Sequence, residues 1–354
     1  MARFVVLDSW RGIAACLVAL FHLDAYSHLY GMPFLRNSWL FVDFFFVLSG
    51  FVIAANYQQR LLDGFGVGRF LLLRLGRLYP LHFAMLALFI AFELLKVLKR
   101  IVIPTLLSVN PIATEIYTYV VFAVCLMGLR RHAWIALLVS LIGGPVLIAA
   151  LSEHNMNTHY DWGIIRCIYG FSAGVVSWKI YERWDEKLKK WFSGSIVECG
   201  VLGLVVVFVS VAGTTLLSIA APYVFALVVL VFAFEAGAAS AVLRLRPLVF
   251  LGTVSYSIYM THAFIAKRIF DAGIQLDKRW HINPFTHRAI DGEDVPFLGT
   301  QLWHGDIAYP VYMAIIIAMS YFTYRWIEKP GREWVRNRVQ RRRQTIASRG
   351  IVSA

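Results

Sequence analysis

Within the stretch LDSWRGIAACLVALFHLDAYSHLY, Arg11 and His22 stand eleven residues apart in an apolar run. At about 100° per residue, eleven helical steps make three turns and roughly 20°, so both side chains project from one face. The rise between them is about 16 Å, roughly half the hydrocarbon thickness of a bilayer. Ionisable groups are costly in hydrocarbon, so a helix that keeps two on one face marks a candidate site. Histidine suits proton transfer near neutral pH. From position alone, a buried neutral imidazole bonded to a neighbouring helix explains His22 equally well.

The next apolar run, WLFVDFFFVLSGFVIAANY, carries Asp43. If the two runs are antiparallel helices, Asp43 reaches the depth of His22, where a carboxylate could hold one imidazole nitrogen and fix its tautomer. A separate helix-to-helix hydrogen bond is the competing reading and is favoured by spacing. Ser49 and Gly50 read as packing residues. In GRFLLLRLGRLYPLH, Arg74 and Arg77 lie three apart and face the same way on a helix, with Arg69 a turn or more earlier. The arginine fork matches phosphate oxygens, which suggests a clamp for a phosphorylated cytosolic compound. Positively charged loops against lipid headgroups are the alternative, and composition favours it.

These residues must be positioned by membrane helices. The chain has 354 residues, 59% hydrophobic and only 16% charged, with mean hydropathy +0.65. A soluble protein carries about a quarter charged residues. The expected fold is all-α, a polytopic transmembrane bundle of about ten spans with both termini cytoplasmic. The spans fall near 11–29, 38–57, 79–97, 112–129, 132–151, 164–181, 197–217, 222–240, 249–270 and 308–327. The first is not read as a cleaved signal, because it contains ionisable groups and many spans follow.

With the N-terminus inside, the arginine-rich segments after the second, fourth and eighth spans face the cytosol, as do Lys187, Lys189 and Lys190. Residues 1–335 then form one membrane domain and 336–354 a basic cytoplasmic tail, whose Arg341, Arg342 and Arg343 suit anionic membrane lipids. The net charge of +13 is assigned to such loops rather than to nucleic acid. The loop 271–307 holds His281, His287 and His304 without compact metal-ligand spacing, and reads as a polar lid or a solvated loop. Cys16, Cys125, Cys167 and Cys199 lie in or beside apolar runs, without disulfide or zinc spacing. No metal site is expected.

The string LDSWRGIAACLVALFH resembles the opening motif of bacterial acyltransferase family 3, membrane O-acyltransferases of cell-surface glycans. FVDFFFVLSGFVI is similar to that family's second-span signature and RLGRLYP to its Arg-x-x-Arg motif. LGTVSYSIYMTH (251–262) and YRWIEKPGR (324–332) resemble its two C-terminal motifs. The five matches run in family order from residue 7 to residue 332. The resemblance implies a cytosolic acyl-CoA donor, with no permanently bound cofactor. It also implies essential roles for Arg11 and His22, His22 as the catalytic residue, and Arg74 and Arg77 near the CoA. The resemblance places a family acid of the fourth span on Glu115, which lacks the usual Trp-Ser-Leu before it. Tyr256, Ser257 and His262 lie in a matched motif, and packing explains them at least as well.

The expected activity is transfer of an acyl group, most simply acetyl, to a hydroxyl of an envelope or exported glycan. The expected setting is the bacterial cytoplasmic (inner) membrane, with polysaccharide synthesis machinery as a further partner. A transporter or flippase for a lipid-linked glycan would use similar intramembrane polar groups. Against it, the two halves show no pair of symmetric interrupted segments.

Overall fold

The computed structural model describes residues 3–98, 133–158, 162–290 and 293–352. The helices in chain order are α1 (Val5–Phe21), α2 (Pro33–Arg36), α3 (Phe41–Leu62), α4 (Val67–Leu98) and α5 (Ala133–Leu151). They continue with α6 (Gly163–Phe192), α7 (Ser195–Ala212), α8 (Ala221–Phe232), α9 (Ala238–Leu243) and α10 (Arg246–Trp280). Strands β1 (Phe285–Ile290) and β2 (Glu293–Leu298) follow. Helix α11 (Leu302–Thr323) then passes through a π-helical turn, Tyr324–Glu328, into α12 (Lys329–Val352).

Among the described residues six helices are long and apolar enough to cross a membrane: α3, α4, α5, α7, α10, and α11 with its continuation. Six of the expected spans meet that measure. The chain is a multi-pass membrane protein. Its outer helices carry apolar side chains outward, with Ile142 on α5 70% exposed and Val207 on α7 63% exposed, as a lipid-facing surface requires. The expected first span shifts: α1 starts at Val5 and ends at Phe21, and its 17 residues are shorter than the run suggested. The Glu235 carboxylate accepts the Val6 N–H at 3.0 Å, satisfying one orphan donor of the helix start. The expected span 112–129 lies outside the described residues. The boundary expected at 335/336 falls inside the continuous helix α12.

Helix α1 is the central element, packed along α10 and against α3. Two glycines let α1 and α10 approach. A Cβ on Gly12 would lie 2.5 Å from the Gly252 nitrogen, and one on Gly252 would overlap the Asp8 carbonyl. Helices α3 and α6 cross in the same way, with Gly50 against the Phe171 carbonyl and Gly174 against that of Val47. Small residues permit such backbone contact where lipid offers no hydrophobic drive to association. Packing was the role expected of Gly50.

The all-α expectation needs one correction. Strands β1 and β2 pair antiparallel, from Phe285 opposite Leu298 to Ile290 opposite Glu293. The chain leaving α1 joins them: Leu298 N–H donates to the Asp24 carbonyl at 2.9 Å, and Tyr26 N–H donates to the Leu298 carbonyl at 2.8 Å. An extended segment cannot satisfy its own backbone groups, so the hairpin supplies partners for it. The loop 271–307 therefore contains the end of α10, this hairpin and the start of α11.

Candidate active site

Arg11, from the first motif, and Arg74 and Arg77, from the Arg-x-x-Arg motif, line one cavity of about 110 Å³ with Ser49, Ser255, Tyr256 and Tyr259. Helix α4 supplies Arg74 and Arg77, three residues apart on one face. Arg74 stacks over the Tyr57 ring at 4.6 Å. Its Nε is buried without a hydrogen-bond partner among the described residues. An unused guanidinium donor in a cavity suits an anion supplied from outside the chain.

Arg11 is held firmly. Its Nε donates to Ser255 Oγ and its Nη2 to the Gly252 carbonyl, both at 2.8 Å, and Asp8 lies 3.2 Å away on the preceding turn. Arg11 thus locks α1 to α10 while it lines the cavity. Glu328, 3% exposed, interacts electrostatically with two of these arginines, Arg77 and Arg11, and with Arg332. The π-helical turn carries it inward, and such turns recur at functional sites.

The segment LGTVSYSIYMTH divides its tasks between two faces of α10. Gly252, Ser255, Tyr259 and His262 repeat at helical spacing toward α1 and the cavity. Ser257 Oγ donates to Glu328 at 2.8 Å, and Thr261 bonds with Ser320 at 3.1 Å, both toward α11 and its continuation. The Tyr256 hydroxyl donates to the Leu78 carbonyl on α4. Ser257 and Tyr256 are therefore tying residues.

His22 caps the C-terminus of α1 and is exposed. It lines a second cavity of about 290 Å³ with Asp24, Tyr30, Leu35, Arg36, Tyr309 and Phe21. Its Nδ1 lies 2.8 Å from the Val18 carbonyl. A carbonyl only accepts, so Nδ1 carries the proton and Nε2 keeps its lone pair. The His262 ring stands 4.8 Å from that of His22, at 65°. The Tyr259 ring, 5.6 Å from His262, continues the contact to the arginine cavity. The ring contacts of His22, His262 and Tyr259 thus link the two cavities. Asp24 lies in the extended segment beyond α1; burial pushes its carboxyl above the usual aspartate range, against the opposing pull of Arg36.

A family model described as an acyltransferase domain matches residues 4–325. The chain belongs to acyltransferase family 3. Membership of this family supports an acyltransferase acting on groups other than aminoacyl groups, with transfer to oxygen. A curated protein of Rhizobium radiobacter titled "Protein 2 in picA locus" is 42% identical over 91 residues, which cover 25% of this chain and 46% of that protein. No solved structure matches the chain.

One expected contact of this acyltransferase is corrected. Asp43 does not orient His22: its two oxygens accept from Arg166 Nε and Nη2 at 2.8 and 2.7 Å. Asp43 is fully buried, and Arg166 also stacks over Trp39 at 5.3 Å. A buried guanidinium needs an adjacent counter-charge, and α6 brings it to Asp43 where α3 crosses. The imidazole beside His22 is His262 instead. Sequence reasoning passed over Asp24 and quoted Glu328 only as part of a motif. An acid in an apolar helix was the available signal for Glu328. Glu115 lies outside the described residues.

Proposed function

We propose that this acyltransferase moves an acetyl group from cytosolic acetyl-CoA to a hydroxyl of an envelope or exported glycan. The observation that carries the reading is the chain of ring contacts from His22, which lines one cavity, through His262 to Tyr259, which lines a second cavity with Arg11, Arg74 and Arg77. The protein sits in the bacterial inner membrane with about ten spans and both termini cytoplasmic, as its charge pattern favours. The arginine cavity then opens toward the cytosol. Arg74 and Arg77 take phosphate oxygens of acyl-CoA, and the pantetheine arm carries the thioester along α1 toward His22.

The glycan approaches from the opposite side through the cavity of His22, Asp24, Tyr30 and Arg36. A carboxylate, a guanidinium and an aromatic ring there offer an acceptor, donors and an apolar face to a sugar. His22 Nε2 takes the proton of the attacking hydroxyl as its oxygen bonds to the thioester carbonyl carbon. The C–S bond then breaks, leaving the ester and, after protonation, CoA thiol. Arg11 positions α1 against α10 and adds positive charge to the donor cavity. Anionic lipids hold the basic tail, and the machinery that makes the glycan supplies the acceptor.

The full-length protein in nanodiscs, given radiolabelled acetyl-CoA and candidate glycans, tests this. Label should move to the glycan, and His22→Ala should abolish transfer in a protein that still folds. Consumption of no acetyl-CoA by the wild type, with any glycan offered, overturns the reaction. Unchanged transfer in His22→Ala overturns the base.

A further inference from the structure

His262 has no task in the reaction as drawn so far. It is 5% exposed, and its Nδ1 lies near the carbonyls of Ile258 and Tyr259 without a well-formed hydrogen bond to any described residue. An unsatisfied buried ring nitrogen is costly and uncommon. Packing alone gives no reason for histidine here, since an apolar side chain would fill the space without that cost. The surrounding structure ties down the backbone of this turn of α10. Tyr312 donates to the His262 carbonyl at 3.1 Å, and Thr261 beside it bonds with Ser320. From that turn the ring stands 4.8 Å from that of His22.

The reaction needs a second proton transfer. The hydroxyl proton leaves oxygen on one side of the carbonyl carbon, and the departing sulfur needs a proton on the other. An alkyl thiol has a pKa near 8.5 or above, and a thiolate released in an apolar cavity would be further disfavoured. His22 lines the cavity assigned to the acceptor. His262 reaches the donor cavity through Tyr259, which lines it. The contacts thus run from the base in the acceptor cavity, through His262, toward the donor cavity where the leaving group lies.

We infer that His262 is a second catalytic residue, the general acid that protonates the sulfur of the departing CoA. The balance is as follows. The acceptor O–H proton passes to His22 Nε2 as the C–O bond forms. The C–S bond then breaks, its electron pair stays on sulfur, and sulfur takes a proton from His262, which has received it from His22 across the ring contact. One proton thus passes from the acceptor oxygen through both rings to sulfur, and both rings end the cycle neutral, as they began. No other reactant is consumed.

This inference rests on the transfer reaction proposed above, and the test separates the two. Wild-type and His262→Gln protein in nanodiscs are compared with acetyl-CoA and with an acetyl thioester of an aromatic thiol, whose sulfur leaves without a proton. With acetyl-CoA, His262→Gln should lose at least about a hundredfold in kcat with little change in KM, as for loss of an acid–base group. With the aryl thioester the loss should be under about tenfold. Equal losses with both donors, or a full kcat with acetyl-CoA, overturn the role of His262. Where the aryl donor is not turned over, the split decides: a raised KM at unchanged kcat refutes the general acid. His262→Asn serves as the second variant if the first does not fold. A wild type that leaves acetyl-CoA untouched refutes the reaction itself, whereas an active wild type with an unaffected variant refutes only the acid.

Discussion

Asp43 and Arg166 form a two-bonded ion pair sealed inside the protein, with side-chain exposures of 0% and 6%. Removing one partner leaves a charge buried without compensation. Arg166→Met should therefore destabilise the protein by about 3–5 kcal/mol, whereas the double change Asp43→Leu with Arg166→Met should restore much of the loss. Unfolding midpoints of the single and double variants in detergent measure this coupling. If Asp43 instead served His22, Asp43→Asn would lower acyl transfer with the unfolding midpoint unmoved.

Glu328 supplies the negative charge that the arginine cluster faces. Glu328→Gln keeps an oxygen to accept from Ser257 but leaves Arg11, Arg77 and Arg332 facing one another. The expected cost is about 1–3 kcal/mol, the scale for a hydrogen bond to a charged group. A bound polyanion can replace the lost charge, and anything that binds only the folded state stabilises it by mass action. Adding CoA should therefore raise the unfolding midpoint of Glu328→Gln more than that of the wild type. An equal rise in both proteins would separate Glu328 from the donor cavity.

The arginines were legible because charge is conspicuous in apolar sequence and a three-residue spacing fixes a helix face. The same logic placed Arg11 and His22 along one helix, although α1 ends one residue before His22. What spacing could not say is which distant helix would lie alongside. Asp43 was matched to His22 by depth, and the crossing of α3 with α6 gave it Arg166 instead. His262 sits 240 residues from His22, and only the Gly12–Gly252 crossing makes them neighbours. The hairpin had a local signal: Asp291-Gly292 stands between FTHRAI and EDVPFL, a dipeptide suited to a tight strand turn. A search for apolar spans passes over it.

Asp24 makes stability depend on pH in a stated direction. Burial raises its carboxyl above the usual range while Arg36 lowers it, and burial is the larger effect. The folded protein then holds this proton at pH values where the unfolded chain has lost it. The contribution of Asp24 is favourable below the unfolded pKa and is lost as pH rises through the raised folded value. Asp24→Asn should remove that component, making the protein relatively more stable near neutral pH. Chemical unfolding of both proteins across the acidic range checks the sign. A wild-type curve that gains stability over this window relative to Asp24→Asn would contradict the assignment.

The hairpin positions the segment that carries His22 and Asp24. Leu298 bonds with both Asp24 and Tyr26, and the Tyr309 hydroxyl donates to the Leu23 carbonyl at 2.9 Å. Tyr309 also lines the cavity that holds His22 and Asp24. Tyr309→Phe removes one of these ties without changing the shape of the ring and leaves the Leu23 carbonyl unpaired by it, at a cost of about 1–3 kcal/mol. The donor cavity on the far side of the histidine pair is untouched by this change. The KM for acetyl-CoA should therefore stay within about twofold, while kcat falls by roughly tenfold as the imidazole loses its placement. Steady-state rates at varied acetyl-CoA and fixed glycan separate the two effects. A rise in the acetyl-CoA KM with kcat retained would mean that the hairpin side serves the donor, and would reverse the assignment of the two cavities.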